Sequence, residues 1–186
     1  MGGDERRSDE ELVDVCNRGD ADAAAAAFEA LYRRHRDFVL RVAHRFTRDR
    51  ELALDALQDT FAYLLQKFPP TGDGLRLTAR LQTLLYPVAK SSAITALRKA
   101  DRLAGGDAEL NELPAAPAAE DVPIDAALAR LSPERREVLT LRFVDDLSLA
   151  EIAAALDVPL GTVKSRLHLA IKELREDPRT KAEFDP

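Results

Sequence analysis

Apolar positions along this chain recur at spacings of three and four, the period of helices that bury one face. Ser8 with Glu11 makes a capping-box pattern ahead of Leu12, Val13 and Cys16, predicting a short helix that ends in the polar run Asn17 to Asp20. Phe28, Leu31, Tyr32, His35, Val39, Val42 and Phe46 then trace one face of a long helix, with Arg33, Arg34, Arg36, Arg41 and Arg45 on its other sides. A third helix starts near Asp49, is expected to bury Leu54, Leu57, Phe61, Leu64, Leu65 and Phe68, and stops at Pro69 and Pro70. After the turn Thr71 to Gly74, a fourth runs from about Leu77 to Arg102.

The helical pattern resumes with Ile124, Ala127, Leu128 and Leu131. Ser132, Pro133 and Glu134 supply an N-cap, a first-turn proline and an early acid for a helix that runs to about Phe143. Asp145 and Asp146 break it, and Ser148 with Glu151 opens the next helix through Leu149, Ile152, Ala153 and Leu156. Asp157 to Pro159 form a tight turn, and a last helix spans about Leu160 to Arg175. Helix, tight turn, helix is the arrangement that lays its second helix in a DNA major groove.

Between the two helical blocks, AGGDAELNELPAAPAAEDVP has no hydrophobic period to bury and carries five acids and no base. The expected fold is all-α: two small helical domains, residues 1–103 and 124–176, joined by a flexible acidic linker, residues 104–123, with the C-terminal domain a helix-turn-helix. Residues 177–186 read as a solvated tail.

Charge sharpens the picture. The chain of 186 residues has a net charge of −6, which argues against coating nucleic acid through bulk charge, so any DNA contact has to be local. Such a local surface exists: Pro159 to Arg175 carries +3. Taking about 100° per residue with Val163 as zero, Leu167, Ala170, Ile171 and Leu174 face the core. Gly161, Ser165, His168, Leu169 and Lys172 face outward, flanked by Thr162, Lys164 and Arg166. An outward Gly161 lets a backbone approach, helix-start amides with Thr162 or Ser165 suit a phosphate, and Lys164 and Arg166 can reach phosphates or base edges.

Other chemistry is not suggested. The single cysteine, Cys16, reads as a small buried hydrophobe and excludes an internal disulfide or a cysteine metal cluster. His35 and His44 read as packing or surface residues, with no metal-ligand spacing around them. No phosphate-cradling glycine loop and no nucleophile with a base can be nominated, so neither an enzyme nor a cofactor is expected. The N-terminus lacks an apolar segment of the secretory type and no run reaches about 18 apolar residues, which places the protein in the cytoplasm without membrane insertion.

The run LSPERREVLTLRFVDDLSLAEIAAALDVPLGTVKSRLHLAIKELR, Leu131 to Arg175, closely resembles the minus-thirty-five-binding domain (region 4) of bacterial sigma factors of the extracytoplasmic-function group. FEALYRRHRDFVLRVAHRF and ALDALQDTF resemble the family's region 2, which docks on RNA polymerase and opens the minus-ten element. The resemblance implies an alternative sigma factor that binds core RNA polymerase and promoter DNA, acts without chemistry of its own, and answers to an anti-sigma factor.

It also implies roles for particular residues. Gly161, Thr162, Lys164, Ser165, Arg166, His168 and Lys172 would meet the upstream element. Asp55, Leu57, Gln58, Asp59 and Phe61 would lie on the helix that grips the polymerase clamp, where Asp55 and Asp59 at i, i+4 suit a basic partner. Tyr86, Lys90, Ser91, Arg98 and Lys99 would meet the minus-ten strand, Tyr86 by stacking, although a core-packing role suits it too. The family usually shows Trp, Arg, Asn and Asp where this chain has Leu84, Pro87, Ser91 and Thr95, and Pro87 is expected to kink or interrupt its helix. Two other readings fit parts of the pattern: a dimeric helix-turn-helix activator, and an adaptor that binds polymerase without opening DNA.

Overall fold

A computed structural model describes residues 6–105 and 127–177. Among these there is no strand. The helices are α1 (Asp9–Arg18), α2 (Ala21–Thr47), α3 (Arg50–Leu65), α4 (Leu81–Leu103), α5 (Pro133–Phe143), α6 (Leu149–Leu156) and α7 (Leu160–Glu176). The chain divides into two compact units, residues 1–108 and 109–186. The acidic linker, apart from Ala104 and Gly105, and the tail beyond Asp177 lie outside the described residues, as does Ile124.

In the N-terminal unit the expected capping box forms: the Glu11 amide donates to Ser8 Oγ at 3.2 Å and the Ser8 amide to Glu11 Oε2 at 2.7 Å. The long helix α2 packs against α1, α3 and α4, burying Leu31, Phe38, Val39, Val42 and Phe46. Phe28 and Tyr32 are only half-buried. They pack edge-on against Phe61, with ring centroids 6.3 Å and 4.8 Å away. His35, expected as a packing or surface residue, is buried and places Nε2 2.8 Å from Asp9 Oδ2, while Arg34 donates to the other carboxylate oxygen at 2.6 Å. This pair ties the start of α1 to the middle of α2.

Two boundaries differ from the periodic reading. Leu54 and Leu65 are exposed, at 37% and 53%, because they lie about 50° and 70° from the middle of the arc of Leu57, Phe61 and Leu64. Helix α4 begins at Leu81 instead of near Leu77. The preceding backbone is held by Asn17, whose side-chain amide donates to the Leu75 carbonyl at 2.8 Å and whose oxygen accepts the Leu75 N–H at 2.8 Å. Pro87 does not interrupt α4: it sits inside the helix on the exposed side, where a missing N–H is least costly.

In the C-terminal unit Ser132 caps α5, accepting from the Arg135 amide, and Ser148 and Glu151 close the second capping box. Leu131, Val138, Leu141, Leu147, Ile152, Val163 and Ala170 form the core. Three arginines add ties that hydrophobic spacing could not show. Arg136 donates to the carbonyls of Leu128, Ala129 and Leu131 at 2.8, 2.8 and 3.1 Å. Arg135 pairs with Glu173, and Arg130 with Asp177, each at 2.6 Å.

Asn17→Ala should lower the stability of the N-terminal unit by about 1 to 3 kcal/mol, since it strips both backbone groups of Leu75 of their partner; denaturant unfolding measures this. Acid unfolding tests the Asp9 tie. Partial burial pushes the Asp9 carboxyl up, but the hydrogen bonds and charges of His35 and Arg34 outweigh it and hold its pKa below the usual aspartate value. A depressed folded pKa contributes stability that is complete above the unfolded value of about 3.9 and is lost as pH falls through the lower folded value. Asp9→Asn should therefore be less stable than the parent above about pH 5, and the two should converge in stronger acid.

Candidate nucleic-acid interface

The candidate upstream-element site is built on α6, the turn and α7. Asp157 ends α6 in the left-handed region, φ 51° and ψ 48°, which aspartate tolerates because its short side chain can bond locally. Its neighbour Val158 returns its N–H to the Ala153 carbonyl at 3.0 Å. Pro159 then starts α7; its carbonyl accepts the Thr162 N–H at 2.9 Å and the Val163 N–H at 3.3 Å. No side chain caps α7, so the amides of Leu160 and Gly161 stand at a bare helix start suited to an anion.

The face deduced from angular spacing is present. Val163 and Ala170 are buried, and Leu167, Ile171 and Leu174 are half-buried. Gly161, Lys164, Ser165, His168 and Lys172 are exposed, with Thr162 and Arg166 half-buried on the flanks. A Cβ placed on Gly161 would meet no atom within 4 Å. Nothing inside the domain therefore requires glycine there, and its φ is not in the left-handed region.

Two cations of this face also have partners within the domain. Lys172 lies 3.9 Å from Glu176, both largely exposed, a pairing too loose and too wet to hold its charge. Arg166 acts on Glu134. The carboxyl of Glu134 is held below the usual range first by its own backbone N–H and then by Ser132, with Arg166 and Arg135 adding attraction. Leu169 is exposed, and Leu160, which sequence reading did not single out, is exposed beside Gly161.

In the N-terminal unit α4 presents Ser91, Arg98 and Lys99 to solvent, together with Pro87 and Thr95, while Leu84 is half-buried. Lys90 is half-buried, its Nζ 5.5 Å from the centre of the Phe46 ring. Tyr86 is the correction here. At 2% exposure it belongs to the core, because position 86 turns toward α2 and α3 with Leu85 and Ala89, and its ring has no free face for stacking.

Helix α3 needs a second correction. Asp55, Gln58 and Asp59 are exposed, but Leu57 and Phe61 are 6% and 5% exposed, since they share the i, i+4 stripe that packs on α2. They hold the helix in place and do not line its outer face. The apolar residues that do share that face are Leu54 and Leu65, both off phase with the buried stripe. That phase difference was the signal in the sequence.

Among the described residues no group of histidines, cysteines or acids could hold a metal, and no helix is long and apolar enough to cross a membrane. The described residues form a helix-turn-helix with a basic outer face and a four-helix unit with its own polar surfaces. This is the make-up of a DNA-binding transcription factor with a docking domain.

Comparison with known proteins defines it further. The family description "Sigma-70 region 2" matches residues 31–103, and "Sigma-70, region 4" matches residues 121–174. The chain is 36% identical over 166 residues to the ECF RNA polymerase sigma factor SigL of Mycobacterium tuberculosis, covering 84% of this chain and 92% of that protein. It is 31% identical to the RNA polymerase sigma factor CarQ of Myxococcus xanthus, covering 83% and 91%. The fold is similar to that of CnrH, solved in complex with the cytosolic domain of CnrY, with a TM-score of 0.63 at 21% identity over 95% and 97% of the two chains. The chain belongs to the extracytoplasmic-function sigma factors, the alternative sigma subunits that bind core RNA polymerase and direct transcription initiation at promoter DNA.

Gly161→Ala should raise the stability of the C-terminal unit by about 0.5 kcal/mol, because alanine loses less chain entropy and meets no neighbour. Thermal unfolding of the two forms checks the sign.

Proposed function

We propose that the outer face of α7 reads the upstream promoter element, with Gly161, Thr162, Lys164, Ser165, Arg166, His168 and Lys172 at the contact. The observation that carries this is Gly161: an exposed glycine where an added Cβ would meet no neighbour within 4 Å, beside a bare helix start and Lys164. A backbone phosphate or base edge can approach there more closely than any side chain would allow. The exposed face of α4, with Lys90, Ser91, Arg98 and Lys99, meets the minus-ten strand chiefly through phosphates. The outer face of α3, with Asp55, Gln58 and Asp59 beside Leu54 and Leu65, docks on a basic and partly apolar surface of core polymerase. The protein works in the cytoplasm and catalyses no reaction; its work is selective binding.

An anti-sigma partner is part of this reading. The sigma factor RpoE of Bartonella quintana was solved with the anti-sigma factor NepR, and this chain is similar to it in fold, with a TM-score of 0.59 at 20% identity over 86% of this chain and 98% of that one. A candidate inhibitor qualifies only if it displaces this chain from core polymerase in a gel-filtration competition.

Run-off transcription with purified core polymerase tests the assignment as a whole. Lys164→Ala should weaken promoter binding by about 1 to 3 kcal/mol, and Gly161→Ala should weaken it while leaving the domain at least as stable. Unchanged promoter occupancy for both would remove α7's outer face from the contact. Leu65→Ser should lower affinity for core polymerase without loss of stability, since Leu65 is already exposed.

A further inference from the structure

The outer face of α7 holds one residue that its polar chemistry does not explain. Leu169 is 39% exposed. At about 100° per residue it stands about 100° from the buried Ala170 and about 120° from the buried Val163, within an arc of about 80° shared with Thr162, Ser165 and Lys172. Leu167 and Leu174 pack against Leu131, Leu139 and Ala170, on the side of the helix away from Leu169.

A single exposed leucine on an ordinary surface means little, but the place of this one limits what it can touch. Its neighbours three and four residues away along the helix are Ser165, Arg166, Lys172 and Glu173, and none is apolar. Glu173 is itself paired with Arg135 at 2.6 Å. Leu169 therefore has no apolar neighbour along α7 with which to form the dry centre of a protein contact. It is one apolar side chain set among groups suited to phosphates and base edges, and it matches a target that is equally small.

We propose that Leu169 reads a thymine of the upstream element through its C5-methyl group, and so sets a base preference that the cations of the same face do not. In the major groove adenine, guanine and cytosine present donors and acceptors, and thymine alone adds a methyl. Leucine gains by burying itself against that methyl. Against another base it strips water from a donor or acceptor and offers nothing in return. Both effects favour thymine. The inference rests on the reading of α7's outer face as the promoter contact and deepens it.

The test uses holoenzyme reconstituted from the full-length chain and core polymerase, which selects duplexes from a library randomised across the promoter. The parent should enrich a thymine at one upstream position, and L169A should lose that preference while keeping the others. Replacing that thymine by deoxyuridine removes the methyl and nothing else. The parent should then bind about fourfold more weakly, the worth of one buried methyl. L169A should bind the thymine duplex about fourfold more weakly than the parent and lose nothing further with deoxyuridine, because the two changes delete one shared contact. Its thermal midpoint should match the parent's, since the side chain lies outside the core.

Enrichment of the same thymine by L169A would overturn the proposal. So would an upstream element without such a thymine, or a deoxyuridine loss that is absent in the parent or equal in both proteins. Weaker assembly of L169A with core polymerase, with its base preferences intact, would overturn it in favour of a protein-facing residue. A parent holoenzyme that enriches no upstream sequence at all would instead strike the reading of α7 itself, and the same selection reports this separately.

Discussion

The burial of one face of α2 against three other helices is the interaction on which the N-terminal unit depends. Leu31, Phe38, Val39, Val42 and Phe46 are all removed from water along that face, and each such side chain contributes roughly 1.5 to 3 kcal/mol. With that face committed to the core, the orientation of every other surface follows. The phase of α3 is set by Leu57 and Phe61 on α2, so Asp55, Gln58 and Asp59 turn outward. The phase of α4 is set by Leu85, Tyr86 and Ala89, so Ser91, Arg98 and Lys99 turn outward.

The C-terminal unit solves a harder version of the same problem with less apolar surface. Its helices α6 and α7 span 8 and 17 residues, and small cores are marginal on their own. Arg135 with Glu173 and Arg136 with three backbone carbonyls supply cross-ties where apolar area is short. Of these ties only the Arg135–Glu173 pair involves α7, on the side of the helix opposite Lys164. A net charge of −6 is compatible with a local DNA contact, because cations gathered on one helix face act within about a Debye length while distant acids are screened.

The positions that depart from the family's usual residues share one physical character. Pro87, Ser91 and Thr95 are exposed on α4 and Leu84 is half-buried beside them, so none of these substitutions disturbs the core. Arg98 and Lys99 share this exposed face.

Much of this was legible in the residues themselves. The all-α class, both capping boxes, the helix-turn-helix and the outward set around Gly161 follow from local chemistry: cap side chains bond within three residues, and helical phase propagates along a single element. Which of several apolar residues on one helix lies inward was only partly legible: helical phase sets Leu54 and Leu65 at the edge of the stripe of Leu57, Phe61 and Leu64, and the position of neighbouring helices leaves them exposed. Tyr86, Leu57 and Phe61 went to the core and Leu54 and Leu65 to the surface for that reason. The pairings of Asp9 with His35, Asn17 with Leu75 and Arg130 with Asp177 join residues far apart in the chain. The sequence by itself determined the helices and the chemistry of their faces; tertiary packing decided which of those faces were buried and which remained exposed.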